Sequence, residues 1–343
     1  MKIAHCLALL AFSSTVISAV ADNKPYTVVQ RLSPGGDGGW DYPSVDPRTH
    51  LLYLSRADHV SVVDTRSGKS VAEILDTPGV HGIALAVGLG RGFISAGNAD
   101  QVKVFDLKTN TVLASVPTGA GPDAIVYDRA SQRVFAFNGR SHDATIIDAA
   151  SNAVIATLPL GGKPEFARAD GRGMVFANIE DTAELVAIDA STATLKARWP
   201  LPHCEEPTGL ALDAAHRRSF STCSNETLAV LDIDSGRVVA NVPIGKGVDG
   251  AEFDAARLTL FSANGEGTLT VVLERSPDEF VVRQTLKTQR GARTIALDAA
   301  THKLYLPTAA FGPSPEPTAD KPHPRPQPLS GSFVVLAVAR SVH

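Results

Sequence analysis

The sequence predicts an all-β fold, a seven-bladed β-propeller of four-stranded antiparallel blades, and three observations carry that prediction. The first is a repeat. Aspartates close short apolar runs at Asp64, Asp106, Asp148, Asp189 and Asp232, and Glu274 takes the next turn, at steps of 42, 42, 41, 43 and 42 residues. A period this long, built from strands and turns, marks a radial propeller. The second is the pattern inside each repeat. β-Branched runs flank clusters of Asp, Asn, Ser and Gly, residues that tolerate positive φ and make hairpin turns. No segment keeps a 3.6-residue apolar period over the length of a helix. The third is composition: 28 Gly and 22 Pro in 343 residues, with charges scattered rather than blocked.

In chain order, residues 1–21 read as a secretory leader. Lys2 supplies the positive start, Leu7 to Phe12 the apolar centre, and Ala19-Val20-Ala21 the cleavage site, with cleavage after Ala21. The apolar stretch is too short for a membrane anchor and is broken by Ser13-Ser14-Thr15. No other segment is apolar for long enough to span. The expectation is a soluble periplasmic or secreted monomer with one propeller domain over residues 22–343. Loss of Lys2 takes the formal charge of −4 to −5.

YTVVQRL (26–32) has the character of an outer strand with no blade before it. GSFVVLAVAR (331–340) has the character of a third strand with nothing after it. Pairing the two closes the ring and protects both edges. Between them, innermost strands are expected to begin near Tyr42, Gly82, Ala124, Phe166, Gly209, Gly250 and Thr294. The last blade carries an insertion, 309–332, with seven prolines. Such a sequence favours extended polyproline conformation and a semi-rigid flap.

Loss of the leader removes Cys6 and leaves Cys204 and Cys223. An even pair in an oxidising compartment predicts a disulfide. Cys223 would end the second strand of the fifth blade, and Cys204 would precede its first, so both fall at one face of the ring. No second pair of ligands has the spacing of a zinc site around His203.

The runs RVFAFN (133–138), TLFSAN (259–264) and VVDTRSGKSVAEI (62–74) resemble the YVTN/YncE-like β-propeller proteins of bacteria. The resemblance covers nearly all of the mature chain and implies the fold. Its motif residues are turn and core residues, so it implies no chemistry. Trp40-Asp41 precedes a first strand and is not the dipeptide that ends the third strand of WD40 blades.

One set of positions carries the functional expectation. Five residues before each strand-one terminal position stand Asp41, His81, Asp123, Glu165, Thr208, Asp249 and Arg293. In a propeller these converge on one mouth of the central channel. The loop 33–42 with Trp40, the Pro-rich insertion, Glu205 and Glu206, and Asn138 and Asn264 map to the same face. The ring suits a small ligand, a partner protein or a hard cation such as Ca²⁺, with Asp41, Asp123, Glu165 and Asp249 as its oxygen ligands. Clustered carboxylates should raise some of each other's pKa values. Trp40 would stack on a ligand, and His81 would serve as a general base if the site is catalytic. The competing view is a solvated channel mouth with no ligand.

The chain has no G-x-S-x-G elbow, P-loop or H-E-x-x-H. The GGDGG run (35–39) is read as a flexible loop, since no helix follows it to hold a phosphate. His50, His59, His142, His216 and His302 fall at turns and are expected to be exposed. Asp46, Asp128, Asp170, Asp213, Asp254 and Asp298 are read as turn formers at the opposite face. The leading functional expectation is a binding or scaffold propeller. A metal-dependent, lactonase-like hydrolase at the mouth is the alternative. Nucleic-acid binding ranks third, because a negative chain lacks the basic footprint that phosphates require.

Overall fold

The computed structural model describes residues 24–316 and 326–341. The leader with its cleavage site after Ala21, and the middle of the Pro-rich insertion, lie outside the described residues. The described chain forms seven four-stranded antiparallel sheets, each with its strands in radial order. Blade 1 comprises Pro43–Asp46, Leu51–Arg56, His59–Asp64 and Lys69–Ile74. Innermost strands of blades 2 to 7 are Val80–Ala86, Pro122–Asp128, Pro164–Ala169, Pro207–Asp213, Val248–Asp254 and Ala296–Asp298. Ring closure is as the sequence predicts. Tyr26–Leu32 pairs antiparallel with Val334–Arg340 and completes blade 7. Beyond that register, Ser341 N donates to Pro25 O at 2.8 Å.

The first strands of blades 2 to 6 begin two residues earlier than the sequence suggests, and the reason is local. Each pairs with its second strand through a one-residue register shift. In blade 3, Pro122 faces Asn138 but Ile125 faces Ala136. Blades 2, 4, 5 and 6 repeat the shift. This is a β-bulge, which bends a strand and re-aims a side chain. The bulged stretches contain His81, Asp123, Glu165, Thr208 and Asp249. In blades 1 and 7 the first strand starts later, and Asp41 and Arg293 lie just ahead of it.

Apolar side chains fill the spaces between blades. One cluster packs Phe135, Phe137 and Ile146 of blade 3 against Val175, Val186 and Ile188 of blade 4, all buried. Middle strands of each blade are covered on both faces, whereas outer strands expose residues such as Val154 and Ile155. That asymmetry explains the β-branched runs: a strand sandwiched between neighbouring blades has no polar face. Innermost strands approach closely. A Cβ on Gly209 would lie 2.9 Å from the backbone of Gly250.

The disulfide is present. Cys204 and Cys223 are bonded, with Cα atoms 5.3 Å apart, and pin the loop before blade 5. Three expectations need correction. The Gly-rich loop is held in place. Its carbonyls at Gly35, Asp37 and Gly39 accept hydrogen bonds from Arg56 at 3.2, 2.8 and 3.2 Å. Arg56 is buried and its guanidinium lies 3.6 Å from the Phe333 ring centroid. Gly35, Gly36 and Gly38 take positive φ so that the chain can wrap this cation.

Second, His50, His59, His216 and His302 are half-buried, and only His142 of the five is exposed. Burial follows from blade seams. His302 reaches Asp254 of blade 6 at 2.8 Å, and His50 reaches Asp298 of blade 7 at 3.4 Å. Those aspartates do form turns, accepting backbone N–H groups, as Asp298 does from Ala300 at 2.9 Å. Third, Asn138 and Asn264 do lie at the mouth face, opposite Pro122 and Val248, but both are buried and neither lines the cavity. Asn138 Nδ2 donates to Asp143 and Thr145, and Asn264 Nδ2 to Thr268 and Thr270, so each ties its own hairpin.

Candidate channel-mouth site

The bulges bring the ring residues together. Asp41, His81, Asp123, Glu165, Thr208, Asp249 and Arg293 all line one cavity of about 730 Å³ at the channel mouth. Bulged backbone is kept from being orphaned by strand two. Gly82 N donates to Ser95 Oγ at 2.8 Å, and in blade 1, which has no bulge, Asp41 N ahead of the strand donates to Ser55 Oγ at 2.9 Å. The floor is aromatic. Tyr42 of blade 1 and Phe166 of blade 4 meet across the channel with ring centroids 4.5 Å apart. Beneath them Arg168 bridges to Glu252 at 2.7 Å.

Three electrostatic groupings divide the ring. His81 Nδ1 lies 2.7 Å from Asp41 Oδ2 and 3.8 Å from Asp123 Oδ1. Ligating atoms of these three residues all lie within 4.8 Å of one another. Glu165 shares Lys163 with Glu180; Lys163 Nζ is 3.4 Å from Glu165 and in contact with Glu180. Asp249 pairs with Arg293 at 2.7 Å and lies 3.4 Å from the Tyr42 hydroxyl. The four carboxylates expected to share one cation are therefore split. Two adjoin His81, and two are each matched to a permanent cation.

Ionisation follows from this geometry. The Asp41 hydrogen bond holds His81 protonated and raises it to about 9, against its burial. Burial pushes Asp123 up to about 7; His81 opposes, and Asp41 and Asp249 reinforce. Glu165 is pushed to about 8 by burial and by Asp123. Asp249 is pushed to about 6 by burial and by Asp41. The mouth therefore holds protons at neutral pH that free side chains would release.

The wall is aromatic on one side. Trp40 packs 6.0 Å from Phe311 and 5.7 Å from Phe333, and its buried indole Nε1 has no partner among the described residues. The insertion is rooted beside it. Phe311 bridges Pro328, Gly312 N donates to Gln327 O at 3.0 Å, and Asp37 accepts from Ser330 and Gly331. Pro326, Gln327 and Pro328 contribute to the cavity wall, as does Glu206 on the disulfide-pinned loop. Lys163, Glu180, Arg290 and Tyr42 also line it and were not singled out from sequence. Lys163 and Glu180 both stand at fixed offsets in the repeat: Lys163 two residues before the ring position, where five blades have glycine, and Glu180 one residue after strand two, where blades 2, 3 and 6 have glycine. A charged residue at a glycine position is the signal that could have found them.

No protein-family model matches this chain, and no curated protein matches it. Solved structures do, and they define its class as a seven-bladed β-propeller. The structure of U3-55K aligns with a TM-score of 0.73 at 9% identity, covering 90% of this chain and 97% of that one. RRP9 WD40 repeats align with a TM-score of 0.73 at 9% identity, covering 93% and 98%. Hydrazine synthase of Kuenenia stuttgartiensis aligns with a TM-score of 0.68 at 14% identity, covering 79% and 93%. At these identities the likeness is one of fold alone.

Proposed function

We propose that this chain is a binding propeller of an oxidising compartment, of the YVTN/YncE-like kind, whose channel mouth takes a small cationic ligand. The carrying observation is the charge of the pocket. Its lining holds Asp41, Asp123, Glu165, Glu180, Glu206 and Asp249 against the permanent cations Lys163, Arg290 and Arg293. With all six carboxylates ionised and His81 protonated the pocket is short of positive charge, and in the empty site protons held by Glu165 and Asp123 cover part of that deficit. A bound cation would lower the proton affinity of Asp123 and Glu165 and replace the missing charge. Trp40 and Phe311 would present ring faces or edges to its apolar part. The disulfide and the leader-like N-terminus support an oxidising compartment.

The test is a titration of small amines and matched carboxylates, followed by tryptophan fluorescence. An amine should bind saturably, and Asp41→Asn should weaken it by roughly tenfold, as expected for losing one charged contact. Binding of carboxylates in preference to amines would overturn the proposal.

A second reading rests on the Asp41, His81 and Asp123 cluster. Those residues could hold a divalent cation, which would supply Lewis-acid polarisation of a carbonyl in a lactonase-like hydrolase. Arg293 does not oppose this, since Asp249 neutralises it locally. Chelator-treated protein titrated with Ca²⁺, Zn²⁺, Mn²⁺ and Cu²⁺ should then show a rise in melting temperature of which the part owed to this cluster is lost in Asp123→Asn. No shift with any ion would remove this reading and leave the first intact.

A further inference from the structure

At the face opposite the mouth, three of the seven seams between blades are latched by the same device. The turn after strand one places a residue in the left-handed region: His50 (φ 60°), Arg217 (φ 59°), Leu258 (φ 47°) and His302 (φ 56°). From there a cationic side chain reaches back to the aspartate at the end of strand one of the preceding blade, or, for Asp170, one residue beyond it. Arg217 meets Asp170 at 3.4 Å, His302 meets Asp254 at 2.8 Å, and His50 meets Asp298 at 3.4 Å.

In blades 2, 3, 4 and 6 the same position is Gly90, Gln132, Gly173 and Leu258, and between blades 5 and 6 the absence of the latch leaves a buried aspartate, Asp213, without a cation from the next blade. Leu258 stands where the cation should be, so it cannot serve Asp213. The third strand of blade 6 also ends its repeat in Glu274 rather than aspartate. Aspartates at that position cap their own turns at the surface, as Asp106 does for Lys108 and Thr109. Glu274 instead turns into the seam and is buried, as is Asp213. His216 Nδ1 is the group they share, 2.7 Å from Asp213 Oδ2 and 2.8 Å from Glu274 Oε1. Asp213 Oδ1 is used by Ala215 and His216 backbone N–H groups. Glu274 Oε2 is buried with no hydrogen-bond partner among the described residues, and Asp213 Oδ2 has ion-pair distance to His216 but no hydrogen-bond geometry. Nearby guanidiniums are engaged elsewhere: Arg218 with Pro277, Asp278 and Asp232, and Arg257 with Asp254.

Two buried carboxylates with one imidazole are an uncompensated site, and an isolated buried carboxylate costs several kcal/mol unless paired or coordinated. We propose that Asp213, His216 and Glu274 form a structural site for a divalent transition ion of the zinc type, clamping the seam between blades 5 and 6. One nitrogen and two carboxylate oxygens leave a fourth, solvent-side position in a tetrahedral set. Ligating atoms of the three residues lie within 4.8 Å of one another, two of the residues are buried, and His216 opens to solvent with its side chain 36% exposed. Ligand bonds near 2.0 Å place tetrahedral ligands about 3.3 Å apart. The imidazole therefore moves outward by about half an ångström to admit the ion, which its surface turn permits. This site is independent of the channel mouth.

The experiment uses the full-length mature protein, stripped with chelator and titrated calorimetrically with Zn²⁺, then with Co²⁺ while visible absorption is recorded. The expected result is one saturable Zn²⁺ equivalent that raises the melting temperature, and Co²⁺ bands of a tetrahedral N/O site. Glu274→Gln, which preserves volume, should weaken binding by at least about 100-fold, the upper end of what losing only an outer hydrogen-bond partner of a ligand costs. His216→Ala should do the same. His81→Ala at the mouth should leave this equivalent in place. Three outcomes overturn the proposal: no saturable Zn²⁺ binding, binding that survives Glu274→Gln, or binding lost in His81→Ala alone. If Glu274→Gln stabilises the metal-free protein and no ion binds, the pair is a carboxyl and carboxylate sharing a proton, and the metal site is refuted.

Discussion

Replacing Asp123 by asparagine should stabilise the protein at slightly alkaline pH and leave it unchanged in acid. Asp123 is buried in the mouth between His81 and the other carboxylates, and its carboxyl rises from 3.8 to about 7. That change corresponds to about 4 kcal/mol between the two protonation states. The folded state binds this proton more tightly than the unfolded chain, so the sign is fixed. Stability falls as pH climbs from about 4 through 7, and the penalty is fully present above 7. The side chain is 25% exposed and His81 offsets part of the repulsion, so about 1–2 kcal/mol should be recovered by the neutral isostere. For a domain of this size that is a rise of about 2–4 °C in melting temperature. Parallel melts of wild type and Asp123→Asn at pH 8 and pH 4.5 read the effect. The gain should appear at pH 8 and largely vanish at pH 4.5, where both forms are uncharged. A variant less stable at pH 8, or a gain of equal size at both pH values, would refute the reasoning.

His81 adds to the same trend. Its folded value of about 9 contributes stability that is fully present below 6.5 and lost as pH rises through 9, so His81→Ala should flatten the alkaline limb of the stability profile. Arg56→Met should leave the carbonyls of Gly35, Asp37 and Gly39 without their donor. A loss of about 2–4 kcal/mol in denaturant titrations, with weaker ligand binding because Trp40 rides on that loop, is the expected outcome. Cys204→Ser opens a bridge spanning 19 residues and should cost about 3 kcal/mol, a difference that disappears when wild type is measured under reducing conditions. Gly236→Ala should destabilise by about 1–3 kcal/mol, because its Cβ would sit 2.0 Å from Trp199 at a φ of 73°.

Blade number, ring closure and the disulfide were legible because they depend on periodic pattern and on unpaired ends. Asp64 to Glu274 mark the turns, YTVVQRL lacks a blade, and two cysteines share a face. The ring at the mouth was legible as an alignment of positions, from Asp41 to Arg293, although the bulges that aim those side chains were not. A bulge is one extra residue in one strand, and it shows only once its partner strand is known. Pairing choices were illegible for a similar reason. Lys163 and Glu180 replace glycines at fixed repeat offsets, but that they pair with each other shows only in three dimensions, as do the seam contacts of His50 and His302. Arg56 carries no sequence signal of its own, and only its burial explains why a run of glycines precedes Trp40.

Closure of the ring by Tyr26–Leu32 has a consequence during synthesis. The strand that completes the last blade is made before every other strand of the ring, and its partner, Val334–Arg340, after all of them. Until the final residues appear, the growing chain carries an exposed edge at each end of an open arc. Joining ends some 310 residues apart carries a chain-entropy cost of about 5 kcal/mol beyond a constant. Closing that gap carries the largest loop-closure cost of any strand pairing in the ring. A nascent propeller in this state is a natural client for holding factors, and a second arc could capture its free edge before its own terminus arrives.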